Sequence, residues 1–246
     1  MEQDLVIGIH AIKSILENSK RIVNKVYATE DGLALIKPLT KNLKVELLAP
    51  HALQEKAKEY FKEKQLEYQR VSSGVFLLAE QLVQNDIGQL YKNITDGRYK
   101  KVLCLDQISD VHNAAAILRT AAFYNVDAVI VPGKRSFSMT PSFFKIASGA
   151  TEYVNIYPVS NMSKTVAKMN ELGALTIALS EHSEENLNEK LSKSNAICLI
   201  LGKEDTGVSH AVMRNAQATL SLKSQGQIKS LNVSIAAAIA MEQCFS

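Results

Sequence analysis

From residue 101 onward, short runs of β-branched and aliphatic residues alternate with stretches of helical periodicity, and this alternation constrains the fold more than any other feature of the chain. The predicted strands cover 102–106, 128–131, 154–159, 174–179, 196–201 and 218–222. Amphipathic helices are predicted between them at 114–124, 163–172 and 209–215. Strand, helix and strand repeated at this spacing predict an α/β fold with a mostly parallel sheet and helices on both faces. Ligands of such sheets collect at the carboxyl ends of the strands. Two predicted strand ends, 106–113 and 202–207, are unusually polar, so chemistry is to be sought there.

The first 80 residues carry a smaller α/β pattern. Ile9, Ile12, Ile15 and Leu16 recur at helical spacing, and 23–28 and 44–48 read as strands with a helix near 33–39 between them. A helix at 53–61 and a strand at 75–79 follow. The polar stretch 80–86 reads as a connector, giving a domain at 1–80, a linker with a leading helix at 81–97, and a second domain at 98–246. Of 246 residues, 46% are hydrophobic and 22% charged, the mixture of a soluble chain that buries a sizeable core. The longest apolar stretch, 233–241, is too short to span a bilayer, and the first four residues are acidic where a secretory signal is basic. The expected location is cytoplasmic, without membrane association.

Cys104, Cys198 and Cys244 cannot all pair, and the first two sit in apolar runs, so buried free thiols are expected. The histidines at 10, 51, 112, 182 and 210 match no metal-ligand spacing, and no metal site is expected. Lys and Arg total 28 against 25 Asp and Glu, a mild basic excess that permits RNA binding without demanding it.

Three segments carry residues fit for chemistry. Ser230 precedes a nearly continuous Ala/Ile/Met helix, which is expected to be buried all round, and Ser230 is its expected N-cap. The freed N–H groups of that first turn either bind a ligand or are simply capped, with Asn232 satisfied in a turn. The loop Gly202-Lys203-Glu204-Asp205-Thr206-Gly207 is neither a Walker loop nor a dinucleotide fingerprint, and its acids repel phosphates. It reads as a tight surface turn or as a loop whose backbone approaches a small ligand. Asn113 stands near a helix start with Arg119 two turns inside. An arginine among Ala, Ile and Leu is costly to bury unpaired, so it reaches solvent, meets an acid or serves a site.

Together these segments resemble a known family. Leu105-Asp106-x-x-x-Asp110-x-x-Asn113-x-x-x-Ile117-x-Arg119-Thr120-Ala121, then Leu201-Gly202-Lys203-Glu204-x-x-Gly207, then Ser230-Leu231-Asn232-Val233-Ser234, look like the three ordered motifs of SpoU/TrmH-type RNA ribose 2′-O-methyltransferases of the SPOUT superfamily. Ser148-Gly149-Ala150, after the loop 133–138, is similar to that family too. The first 80 residues, with Gly8-Ile9-His10-Ala11 and Gly74-Val75, resemble the small L7Ae/L30e-like RNA-binding domain that precedes the catalytic domain in bacterial 23S ribosomal RNA guanosine methyltransferases.

The resemblance implies a C-terminal trefoil knot, a departure from general topology rules. It implies a homodimer with its active site assembled across the interface, and S-adenosylmethionine held by backbone groups of Gly202, Leu222 and Leu231. It assigns Arg119 to the attack of the ribose hydroxyl, with Asn113, Glu204, Ser230 and Asn232 as the other site residues. Electrostatic or orienting action by Arg119 is physically easier than base catalysis, because arginine stays protonated. The implied partner is RNA, either 23S ribosomal RNA or a pre-50S particle. The alternatives are a transfer RNA ribose methyltransferase, more remotely a thiostrepton-resistance methylase, and a non-catalytic assembly factor of the same fold. Several positions depart from the family pattern: Val111 where proline is common, Ala115 where glycine is common, and Leu222-Lys223-Ser224 where isoleucine-proline-methionine is usual.

Overall fold

The computed structural model describes residues 3–41, 43–83, 85–134, 136–180, 188–228 and 230–246; His182 and Lys229 lie outside them. In chain order the elements are β1 (Gln3–Ile7), α1 (Ile9–Glu17), β2 (Val23–Ala28), α2 (Glu30–Ile36), β3 (Val45–Leu47), α3 (Pro50–Glu63) and β4 (Val75–Glu80). There follow α4 (Ile87–Thr95), β5 (Lys101–Leu105), α5 (Val111–Phe123), β6 (Ala128–Pro132), α6 (Pro141–Ala147) and β7 (Asn155–Val159). The chain ends with α7 (Met162–Glu171), β8 (Leu175–Leu179), α8 (Asn188–Lys193), β9 (Ile197–Leu201), α9 (His210–Met213), β10 (Ala218–Leu220) and α10 (Val233–Phe245). Packing divides the chain into two units, Met1–Val83 with Ser138–Tyr153, and Gln84–Phe137 with Val154–Ser246.

The first unit is built on a four-stranded sheet ordered β1-β4-β2-β3, in which β4 runs antiparallel to both neighbours and β3 is parallel to β2. Alternation along β4 sends side chains to both faces, as a strand covered on both sides requires. Val75, Leu77 and Ala79 join a core with Ile12 and Ile15 of α1 and Ile36 of α2, while Phe76 and Leu78 join another with Leu53, Ala57 and Phe61 of α3. Sequence patterning misses β1.

The structure corrects the assignment of 138–153 to the second domain. Phe144 of α6 sits in the core that α1 covers, and Met139 packs against the same cluster. Asn18 donates from Nδ2 to Glu152 at 2.8 Å, and the Tyr153 hydroxyl donates to Ser14 Oγ at 3.2 Å. Gly149 turns at φ +90°, and a Cβ there would lie 2.1 Å from Ser14 Oγ, so both conformation and space demand glycine. Arg21, almost wholly buried, pairs with Asp4 at 2.5 Å and faces Glu152 at 3.9 Å.

The second unit is a six-stranded, all-parallel sheet ordered β10-β8-β9-β5-β6-β7. One face is covered by Leu90 and Ile94 of α4, Val166 and Met169 of α7, and Val212 of α9. On the other face α10 packs against β9 and α5. The order runs outward from β5 through β6 to β7, then jumps across to β8, so the reversal falls between β5 and β9. Parallel sheets open a binding crevice at such a point, outside the carboxyl ends of the flanking strands.

The last helix departs from expectation. Ala236, Ala237, Ala240 and Met241 are buried, but Ile235 and Ile239, one turn apart, are 53% and 39% exposed. An apolar helix is buried only where something covers it, and among the described residues of the single chain nothing covers this side. All three cysteines are free and buried. Burial pushes the Cys198 thiol up to about 12 and the Cys244 thiol to about 11.

Candidate active site

The three polar segments meet at the point of strand reversal. Asp110 caps α5, its carboxylate accepting from Asn113 N at 2.7 Å, and this start fixes Asn113 on the first turn. Asn113 Oδ1 accepts from Asn232 Nδ2 at 3.0 Å, and Asn113 Nδ2 approaches Glu204 Oε1 at 3.4 Å. Glu204 Oε1 also accepts from Asn232 Nδ2 at 2.6 Å and from the backbone N–H of Val233 at 3.1 Å. A carboxylate thus meets the N-terminus of α10, where unpaired N–H groups and the helix dipole favour negative charge.

Asn232, not Ser230, caps α10. Its Oδ1 accepts from Ser234 N at 2.9 Å and from Ser234 Oγ at 2.6 Å. Ser230 and Asn232 are both good capping types, and the two-residue offset is decided by the contact with Glu204, which sequence does not display. Ser230 is exposed and joins none of these hydrogen bonds.

The loop bearing Glu204 is a locked hairpin. Lys203 and Gly207 exchange both backbone hydrogen bonds, at 3.1 and 2.8 Å. A Cβ on Gly202 would lie 2.0 Å from the carbonyl carbon of Gly207, so the close pass admits only glycine. The backbone groups of Gly202, Leu222 and Leu231 have no hydrogen-bond partner among the described residues. Gly202 is buried, and buried backbone polar groups are nearly always paired, so this donor set fits a ligand bound along it. S-adenosylmethionine, with adenine and carboxylate edges to match, is such a ligand.

Arg119 stands apart from this cluster. Six residues beyond Asn113, it lies about 120° around α5. It is exposed and makes no ion pair or hydrogen bond among the described residues, which removes the buried ion pair as its explanation. One turn further along, Phe123 is 83% exposed. Ala115, at the position where glycine is common, is fully buried within α5. Clefts of about 410 and 390 Å³ open at the other end of the sheet, beside Lys100, Ser194 and Asn195, away from Glu204. Among the described residues no His, Cys, Asp and Glu side chains are grouped to hold a metal ion, and no helix is long and apolar enough to cross a membrane.

A parallel α/β domain with three motif loops gathered at its strand reversal has the architecture of a ligand-binding domain, and comparison with known proteins gives the class. Residues 100–242 match the SpoU rRNA Methylase family, and the chain belongs to that family of methyltransferases. A TrmH-family protein of Staphylococcus epidermidis is 29% identical over 247 residues, covering 100% of this chain and 96% of that protein. The 23S rRNA (guanosine-2′-O-)-methyltransferase RlmB of Acinetobacter baylyi is 34% identical over 165 residues, covering 66% of this chain and 65% of RlmB. The SpoU methyltransferase AviRb of Streptomyces viridochromogenes, solved with AdoMet, superposes with a TM-score of 0.77 at 17% identity, over 99% of this chain and 89% of AviRb. A TrmH-family structure from Porphyromonas gingivalis gives a TM-score of 0.72 at 20% identity, over 98% and 88% of the two chains.

Proposed function

We propose that this protein methylates the ribose 2′-hydroxyl of a guanosine in 23S ribosomal RNA, free or within a pre-50S particle, in the cytoplasm. The observation that carries the reading is the junction of Asn113, Glu204 and Asn232, one residue from each motif. The RlmB similarity supports the ribosomal target. The small leading α/β unit, read as L7Ae/L30e-like, supports a role in gripping RNA.

S-adenosylmethionine supplies the electrophilic methyl group on its sulfonium. The backbone of Gly202, Leu222 and Leu231 would hold it at the strand ends, and the amides of Asn113 and Asn232 with the Ser230 hydroxyl would orient the ribose. The sulfur–methyl bond would break as the ribose oxygen–carbon bond forms, the thioether leaving with the electron pair and the hydroxyl proton passing to water, while Arg119 would stabilise the developing oxyanion by its fixed positive charge. Glu204 holds the amides in register and balances the guanidinium.

Arg119 serves this role through a homodimer. The outer face formed by Phe123 of α5 with Ile235 and Ile239 of α10 is apolar and uncovered, and pairing two copies across it carries Arg119 toward the partner's site. The return of the chain from the edge strand β10 to α10 beside β9 supports threading of this segment as a trefoil knot.

Incubation with labelled S-adenosylmethionine and either 23S RNA or total transfer RNA tests the reading. Label in 23S RNA, mapped to one ribose, is expected; label only in transfer RNA overturns the ribosomal assignment. Calorimetry showing no S-adenosylmethionine binding at millimolar concentration favours a non-catalytic assembly factor.

A further inference from the structure

Asp106, directly after β5, touches both ends of the Glu204 hairpin. Its backbone N–H donates to Leu201 O at 2.8 Å, just before the hairpin, and its carboxylate Oδ2 accepts from Ser209 N at 2.8 Å, just after it. Between these anchors the Lys203–Gly207 backbone pair and the close pass of Gly202 against Gly207 close the stem, and Val208 is buried at its foot. Asp106 itself is only 4% exposed.

A buried carboxylate is a costly way to satisfy one N–H, since desolvating the charge opposes folding. Its placement at the strand reversal gives the cost a purpose. We infer that Asp106 is a positioning residue for methyl transfer: it clamps both ends of the 202–208 hairpin and so sets the Glu204 carboxylate against Asn232 and the first turn of α10. The inference rests on the reading of Glu204 as a site residue. Asp106 reaches neither ribose nor sulfonium in this scheme and acts only through the hairpin.

The test is a double-mutant cycle in the full-length protein, with kcat and KM for S-adenosylmethionine and RNA measured for Asp106→Ala, Asp106→Asn, Glu204→Gln and the pair Asp106→Ala/Glu204→Gln. Losing the clamp is expected to lower kcat about 10- to 100-fold in Asp106→Ala, and Asp106→Asn, whose amide oxygen still accepts from Ser209, is expected to recover most of it. In the Glu204→Gln background, Asp106→Ala is expected to cost less than about 3-fold more, because the two act as one unit. Losses that multiply overturn the inference and make Asp106 an independent structural residue. An unimpaired Glu204→Gln overturns the reading of the site itself, a separate failure.

Ser209→Pro guards against an unfolded Asp106→Ala. Ser209 has φ −60°, which proline adopts, and the change deletes the donor N–H together with a hydroxyl that makes no capping hydrogen bond. It is expected to reproduce the lowered kcat; a folded Ser209→Pro enzyme of normal kcat overturns the clamp.

Discussion

Asn232 donates from Nδ2 to Glu204 at 2.6 Å, joining the cap of the last helix to a hairpin 28 residues earlier. The same Glu204 oxygen receives the Val233 N–H, so one atom gathers a side chain and a helix start. Hydrogen bonds to a charged acceptor contribute about 1.5–3 kcal/mol each, and a rate changes tenfold per about 1.4 kcal/mol. Glu204→Gln keeps an acceptor but loses the charge, and is expected to lower kcat about 10-fold or more. Because Glu204 is exposed, its melting temperature is expected to stay within a few degrees of wild type, which calorimetry checks.

Arg119→Ala is expected to abolish methyl transfer while leaving the fold and the oligomeric state intact. The guanidinium is exposed and has no ion-pair partner among the described residues, so its removal strands no buried charge. Circular dichroism and single-turnover methylation, measured side by side, check this. Loss of folding would make Arg119 structural.

Phe123→Asp and Ile239→Asp each place a charge in the uncovered apolar face. Neither residue is enclosed in the single chain, so each variant is expected to fold. Sedimentation equilibrium is expected to show the wild type at twice the chain mass and the variants at the chain mass, with methylation lost together with association.

Thiol titration reads the burial of the cysteines. With Cys198 at about 12 and Cys244 at about 11, almost no thiolate is present at pH 8, and Cys104 is raised well above its usual range by the same burial. A native sample is expected to show no fast-reacting thiol, and a denatured sample three. A rapid native thiol would mean that the α10 end opens.

The strands of the second unit and its helix-covered parallel sheet were legible because apolar runs and helical periodicity are local properties of sequence. The site was legible only in part. Asn113, Glu204 and Asn232 are named by motif, but Asn113 and Asn232 are 119 residues apart, and their hydrogen bond follows from tertiary packing. Asp106 stands in the first motif, but its grip on the hairpin is not legible there, because both of its partners, Leu201 O and Ser209 N, are backbone groups that any residue type supplies. The exposed side of α10 was illegible for another reason. Apolar composition marks a surface to be covered, without saying whether the chain itself covers it.

The excursion 138–153 changes what it means to take this protein apart. The chain passes between its two packing units at three places, after Val83, after Phe137 and after Tyr153. A protease that nicks the first crossing cuts 1–83 from the rest of the backbone, yet the 138–153 excursion stays in the larger fragment while packing with the smaller one, so the two pieces remain held by the core they share. Deleting the leading residues instead would leave Phe144 and the Gly149 turn with the surface they were shaped for gone. The leading unit is thus no detachable appendage: part of its interior is encoded in the middle of the catalytic domain's own sequence.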